Sequence, residues 1–467
     1  MTSAAQQDMQ HPLKMALEQC VGRSYVHTEQ LDAWAKDGTE LFALPDVVVE
    51  PATTDEVAAV VRVAAEYGVP VVTRGAGTGV AGGAVPQRGD IVLSTSRLNR
   101  IIEIDAQAMT ATVGAGVRTG ELQAAVEAEY LFYPPDPSSL AECTIGGNVA
   151  CNAGGPRALK YGVTRQYVLG LTVVLANGNI LRLGGKTHKQ ASGYALLHLF
   201  VGSEGTLGIV TEVTLRLIPL PPVRATLTAL FPTLDEASHA VTAVLHSGSL
   251  PCTIELMDRT TLRAVEDYLH LGLPHEAGAM LIIEQDGISL PAIAAELEQV
   301  RAACEQYGGF EAAIATTEEE RAQLWAARRS AYYALLHLAP MCRAEDIVVP
   351  RSAIPKMVEQ IEAIAVETGL LIAVCGHAGD GNLHPLIAFD GRDPQQLSAV
   401  QRAEALIVQA ALDLGGMVSG EHGVGTLKLP FLEAAVGTEA VAIMRMLKQT
   451  LDPQNILNPG KVIPAGG

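Results

Sequence analysis

Apolar positions in the first half of the chain come in short runs closed by turn residues. Val47 to Val49 ends at Glu50-Pro51, and Val69 to Thr73, Ile91 to Ser94, Ile101 to Ile104 and Ala111 to Val113 repeat the pattern. Runs this short, bounded by Gly, Pro, Asp or Asn, predict strands. Between the first two, Thr53 or Thr54 can cap a helix whose apolar positions, Val57, Val60, Val61 and Ala64, recur at helical spacing. The strands are too closely spaced for a simple doubly wound sheet. Residues 1–44 ahead of them read as a helical lead-in of mixed polarity.

The texture changes twice more. Residues 131–165 are dense in Gly, Pro, Asn and Ser, and a loop-rich stretch of that length inside a domain is usually functional. Leu217-Ile-Pro-Leu-Pro-Pro-Val223 stops regular structure and marks a boundary. Beyond it, helical patterns near 234–247, 292–306, 318–338 and 353–368 alternate with short strands. The expected organisation is therefore a lead-in at 1–44, a first domain at 45–222, a second α+β domain at 223–412 and a C-terminal segment at 413–467. A prior of about 150 residues per domain agrees with more than one core.

Composition narrows the partners. With 51 acidic against 32 basic residues the net charge is −19, which argues against nucleic acid or an anionic membrane as the main partner. The seven cysteines lack CxxC spacing, so neither iron–sulfur ligation nor a zinc ribbon is expected. The N-terminal stretch has no apolar core of a signal peptide, and no apolar run is long enough to span a bilayer. The expected location is cytoplasmic, with attachment to a membrane through a partner as the alternative.

Arg74-Gly75-Ala76-Gly77-Thr78-Gly79 follows a strand, and alternate glycines let backbone N–H groups converge on an anion. Alone this is a weak signal, since the spacing is not GxGxxG. Three further segments join it: Pro134-Pro-Asp-Pro-Ser-Ser, Thr144-Ile-Gly-Gly-Asn-Val-Ala-Cys-Asn-Ala-Gly-Gly and Val201-Gly-Ser-Glu-Gly-Thr-Leu-Gly-Ile-Val. Each glycine costs roughly 0.5–1 kcal/mol of backbone entropy, so their concentration suggests backbone passing close to a large flat ligand.

These segments, in this order over nearly the whole chain, resemble the vanillyl-alcohol-oxidase family of flavoproteins. The resemblance implies an α+β protein: a two-subdomain α/β FAD-binding domain and an α+β substrate (cap) domain with an antiparallel sheet. It implies that Arg74, Gly75, Ala76, Gly77, Thr78 and Gly79 hold the FAD diphosphate. Pro135, Ser138, Thr144, Gly147 and Asn148 would line the flavin, with Glu204, Gly208 and Ile209 towards the adenine. Some relatives attach flavin through a His after the Gly-rich loop; none occupies residues 74–90, so FAD is expected to bind non-covalently. Ala195 stands where many relatives carry Asp or Asn, which leaves Lys189 to Ala195 without an assigned role.

The second half carries a different chemistry. Ala373-Val-Cys-Gly-His377-Ala-Gly-Asp-Gly-Asn-Leu-His384-Pro reads as strand, tight turn and strand, returning His384 towards His377. Ser419-Gly-Glu421-His422-Gly adds a carboxylate and an imidazole. Two His and one carboxylate suit a divalent metal with open positions. Asp380 competes as a ligand, but Asp-Gly-Asn is turn chemistry. GHAGDGNLHP and SGEHGVG resemble the metal-containing branch that includes the glycolate oxidase flavin subunit, D-lactate dehydrogenase and D-2-hydroxyglutarate dehydrogenase. That resemblance implies a metal on His377, His384 and Glu421, zinc favoured over manganese or iron, with His422 as general base and Arg328 on the substrate carboxylate. Arg329 reads as a solvated helix charge. Asn458, in Asn455-Ile-Leu-Asn-Pro-Gly-Lys461, would return near the flavin.

The function so implied is FAD-dependent oxidation of a D-2-hydroxy acid to the 2-oxo acid. Apolar Pro385-Leu-Ile after the second His favours D-lactate or glycolate over D-2-hydroxyglutarate. Electrons would leave to a quinone, a cytochrome, an electron-transfer flavoprotein, oxygen or a partner subunit, and a homodimer is compatible. The alternatives are a flavin-binding subunit of a multi-subunit glycolate oxidase complex and, from another class, a metal-dependent hydrolase.

Overall fold

The computed structural model describes residues 3–273, 276–315 and 317–464, with side chains from residue 11 onward. The chain divides into two compact units: one of residues up to Ala153, Val163–Leu220 and Glu421 onward, the other of Gly154–Gly162 and Pro221–Gly420. Two parts of the sequence division therefore change. Residues 413–420, expected with the returning tail, belong to the second unit, as does Gly154–Gly162 from inside the loop-rich stretch. The latter is held there by charge: Lys160 Nζ and Tyr161 Oη both reach the buried Asp286 carboxylate, Tyr161 at 2.8 Å.

The first unit holds a four-stranded sheet in the order Val26–His27, Val47–Val49, Ile91–Ser94 and Val71–Arg74, of which the last three are parallel. A parallel sheet is covered on both faces, so its strands are apolar throughout rather than alternating. Val47, Val49, Ile91 and Leu93 pack with Val57, Val60, Val61 and Ala64 of the helix Thr54–Tyr67. Val48, Val72 and Val92 face Leu31 on the other side. Thr53 caps that helix by accepting the Glu56 N–H, and Gly68 ends it at φ 64. A five-stranded antiparallel sheet follows, built from Ile101–Asp105, Thr110–Gly114, Ile209–Arg216, Val168–Val174 and Ile180–Gly184.

The C-terminal segment completes the first core. Val71 donates to Ile456 O at 2.7 Å and Asn458 donates to Val71 O at 2.8 Å. Asp452 accepts the N–H groups of Ile456 and Leu457, while Lys448 Nζ binds Asp452 and the Thr206 and Leu457 carbonyls.

The second unit is an antiparallel sheet whose long path runs Phe310–Ala315, Val223–Phe231, Ala279–Gly287, Thr253–Asp258, Leu371–His377, Asn382–Phe389 and Met341–Ala344. Period-2 alternation sorts its side chains. Leu256, Leu281, Ile283, Val374 and Ile387 face the helices Leu234–His246, Leu290–Gln306 and Ile354–Thr368. Met257, Met280, Ile282, Cys375 and Leu386 face Leu262, Val265, Ala327 and Leu335 on the opposite side. The helical run expected at 318–338 is two helices, Glu318–Arg329 and Ala331–Leu338, separated at Ser330. Among the described residues no helix is long and apolar enough to cross a membrane.

The tail is a structural part of the first unit, which gives a direct expectation. Leu457 is fully buried, so Leu457→Ala should cost about 2–5 kcal/mol, read as a lower denaturation midpoint. An unchanged midpoint would mean that the tail is dispensable to the core.

Candidate active site

In the first unit, the parallel strand Val71–Arg74 delivers the chain into the Gly-rich turn. Arg74 does not extend outward: Nη1 donates to Lys36 O at 2.6 Å and Nη2 to Ala33 O at 3.3 Å. Its guanidinium is thus directed at main-chain carbonyls of the lead-in. Ala76 and Gly79 are exposed, and Gly77 adopts φ 73. A Cβ on Gly75 would lie 2.4 Å from Thr144 Oγ1, so glycine is needed there for the turn to pack on Thr144. Thr144 in turn caps the helix Ile145–Cys151 by accepting the Gly147 N–H, and Asn148 Nδ2 donates to Thr119 Oγ1 at 2.7 Å. The turn and the Thr144–Asn148 segment are therefore one surface.

The remaining residues expected at the cofactor divide into framework and surface. Pro135 O accepts from Gln123 Nε2 at 2.9 Å, and Ser138 lies in a turn. Gly208 is required by packing, since a Cβ would sit 2.5 Å from the Val173 side chain, and Ile209 is fully buried. Asn458, at φ 44, donates Nδ2 to Gly83 O and Glu204 O. Its buried Oδ1 and the buried Oγ1 of Thr73 have no partner within the described residues. Both lie beside Gly205, whose Cβ would come 3.7 Å from Thr73 Cβ and 4.0 Å from Asn458 Nδ2. Buried polar atoms normally find a partner, so this spot fits a bound polar group such as a flavin edge.

The Glu204 carboxylate is engaged by the main chain. It accepts the Val424 N–H at 2.6 Å and the Gly425 N–H at 2.9 Å. Burial pushes its pKa up to about 7, against the pull of those two N–H groups. Thr426 and Leu427 N–H groups both donate to Ala81 O. The loop carrying Glu421 and His422 is in this way tied to the segment just after the Gly-rich turn.

In the second unit, one face of the sheet is apolar at one end and polar at the other. His377 stands opposite Glu255 and His384 opposite Cys375. Strand alternation puts Glu255, His377 and His384 on the Met257–Cys375–Leu386 side. The two imidazoles lie 5.1 Å apart, edge to face. His377 Nδ1 meets Glu255 Oε1 at 2.6 Å, and His384 Nδ1 meets Glu345 O at 3.3 Å. Arg328, on the helix Glu318–Arg329, places Nε 2.7 Å from Glu255 Oε2. Burial alone would raise the Glu255 pKa, but the His377 and Arg328 charges outweigh it and hold the carboxyl below its ordinary value. Further along the same face, Glu284 accepts from Trp325 Nε1 and Thr226 Oγ1. Arg329 is exposed. Asp380 accepts the Asn382 N–H inside the turn, in keeping with its reading as a turn former.

Asp346, fully buried, accepts from Asn382 Nδ2 at 2.7 Å, Ser419 Oγ at 2.6 Å and Gly420 N at 3.0 Å. It fixes the chain immediately before Glu421. Neither Asp346 nor Glu255 stands out in the sequence reading. The available signal was a single carboxylate within an apolar strand, as in Thr253-Ile-Glu255-Leu-Met.

Comparison with known proteins identifies the family. Residues 45–184 match an FAD binding domain, and residues 220–462 match the C-terminal domain of FAD linked oxidases. The chain is 47% identical to glycolate oxidase subunit GlcD of Bacillus subtilis, over 92% of this chain and 91% of that protein. It is 38% identical to GlcD of Escherichia coli K12, over 96% and 90%. Against D-lactate dehydrogenase of Archaeoglobus fulgidus identity is 37%, over 92% and 96%. The fold is also that of p-cresol methylhydroxylase with substrate bound, at TM-score 0.80, 19% identity and 98% of each chain. Alkyldihydroxyacetonephosphate synthase gives TM-score 0.76 at 20% identity, over 97% of this chain and 86% of that one. The hydrolase alternative gives way: this chain belongs to the FAD-linked oxidase family and is an FAD-linked oxidoreductase.

Proposed function

We propose that this protein oxidises a small D-2-hydroxy acid, D-lactate or glycolate, to the 2-oxo acid. The observation that carries the reading is where the Nδ1 atoms of the histidine pair lie. A neutral imidazole has one donor and one acceptor nitrogen. With the Nδ1 atoms of His377 and His384 facing Glu255 Oε1 and Glu345 O, the lone pairs fall on Nε2. A carboxylate or carbonyl behind each imidazole is the support that metal-ligating histidines use. The donor chemistry therefore fits a divalent metal, zinc favoured with manganese or iron as alternatives. Glu421, the residue directly after the Asp346-bound Gly420, is the third donor.

When bound, non-covalent FAD supplies a hydride acceptor at N5, and the metal supplies a positive charge that lowers the pKa of the substrate hydroxyl. The chain's own groups do the rest. Arg328, ion-paired to Glu255 through Nε, would take the substrate carboxylate on the rest of its guanidinium fork. His422 takes the hydroxyl proton as the Cα–H bond breaks and the carbonyl forms, so one proton and one hydride leave per substrate oxidised.

Support for a small monocarboxylate comes from the relatives, which are a glycolate oxidase subunit and a D-lactate dehydrogenase. Apolar Pro385-Leu-Ile carries no such information, because Leu386 and Ile387 are buried in opposite cores of the sheet. The subunit naming of GlcD favours a second reading on one point. Reduced flavin would then be reoxidised by a companion subunit rather than by a free acceptor.

Anaerobic mixing of purified protein with a panel of 2-hydroxy acids separates reduction from reoxidation. D-lactate or glycolate should bleach the flavin, and prior chelation should slow bleaching without releasing FAD. A strong preference for a dicarboxylic hydroxy acid, or indifference to chelation, would overturn the substrate and the metal assignments respectively. Glu255→Gln should weaken metal affinity about 10–100-fold, measured by titrating metal back into chelated protein. Unchanged affinity would remove Glu255 from the support of His377.

A further inference from the structure

Glu204 combines three unusual features. It is a non-glycine residue at φ 49, a left-handed conformation that L side chains rarely adopt. Its carboxylate is buried, yet among the described residues it faces no cationic group within hydrogen-bonding distance; both oxygens are spent on peptide N–H groups, those of Val424 and Gly425. Its main chain is also held, with N–H donating to Ala150 O at 2.9 Å and O accepting from Asn458 Nδ2 at 2.7 Å. The residue thus joins the Thr144–Asn152 segment, the C-terminal turn and the loop that follows His422.

The glycines around His422 are each required by a close neighbour. Gly423 adopts φ 86, and a Cβ there would lie 2.7 Å from Glu204 Oε1. Gly425 adopts φ 50, and a Cβ would lie 2.0 Å from Ala81 O. On the other flank, a Cβ on Gly420 would lie 2.6 Å from Asn382 Nδ2, itself bound to Asp346. Glu421, His422 and Gly423 are therefore preceded by a segment fixed on the Asp346 carboxylate and followed by one fixed on the Glu204 carboxylate.

We propose that Glu204 is a positioning residue for the reaction: it sets the direction of the His422 imidazole by holding the Val424 and Gly425 peptide N–H groups on one carboxylate, with Asp346 holding the opposite end. The inference rests on the assignment of His422 as the base. A carboxylate suits the task because its two oxygens accept two N–H groups at once, and a neutral amide accepts one and repels the other.

The test is Glu204→Gln in the full-length, FAD-loaded protein, compared with wild type for FAD content, thermal midpoint, kcat, KM and the pH dependence of kcat. Misplacing a proton-transfer group by about 1 Å costs up to about 100-fold in rate. The expected result is full FAD content, KM within about twofold, kcat lowered about 10–100-fold and a displaced pH profile. Wild-type kcat and pH profile in Glu204→Gln would overturn the proposal. So would a loss of activity that follows FAD loss alone with the pH profile unmoved. Should Glu204→Gln not fold, Asp346→Asn carries the same readouts, and failure of both to fold would assign the carboxylates to stability and overturn the positioning role. Wild type that bleaches with no hydroxy acid would overturn the proposed function itself, whereas active wild type beside an unaltered variant sinks the clamp alone.

Discussion

The arrangement of the second unit depends on strand register. Glu255, His377 and His384 share a face only because Glu255 pairs with His377 and Cys375 with His384. A slip by one residue would turn both imidazoles towards the helices that cover Leu256, Val374 and Ile387, and bring Val374 or Leu383 to the polar end. Alternating burial of the two apolar sets prevents that slip, since it would expose or misplace every core side chain of the hairpin. The placement of both imidazoles is thus secured by the hydrophobic packing of the sheet.

A related economy operates in the first unit, where close backbone approach is the controlling constraint. Gly75 lies against Thr144, Gly423 against Glu204 and Gly425 against Ala81 O. At each place a methyl group would separate segments that are distant in sequence. The entropy lost at these glycines is offset by hydrogen bonds and packing between the turn after Val71–Arg74, the capped helix Ile145–Cys151 and the loop after His422.

What the sequence disclosed, and what it withheld, follows from distance along the chain. The Gly-rich turn and the His377–His384 hairpin are local: their glycines, prolines and alternating positions carry their own geometry, and a strand enters the one while two paired strands form the other. Glu255 is more than a hundred residues from His377, and no periodicity announces that pairing. Arg74 shows a different gap. Its position in the motif is plain, but the direction of its side chain depends on the Ala33 and Lys36 carbonyls, which lie in the lead-in. The break at Ser330 was hidden because both flanking segments have helical apolar spacing.

The order of segments has a consequence for how the protein is made. The core of the first unit needs Ile456 and Leu457 beside Val71, and these are synthesised after every residue of the second unit. The second unit is complete once Gly420 has been synthesised. Vectorial synthesis usually lets the N-terminal domain close first. Here the later-starting unit can close while the earlier one still waits for Ile456 and Leu457, leaving the Val47–Leu93 sheet incomplete over that interval.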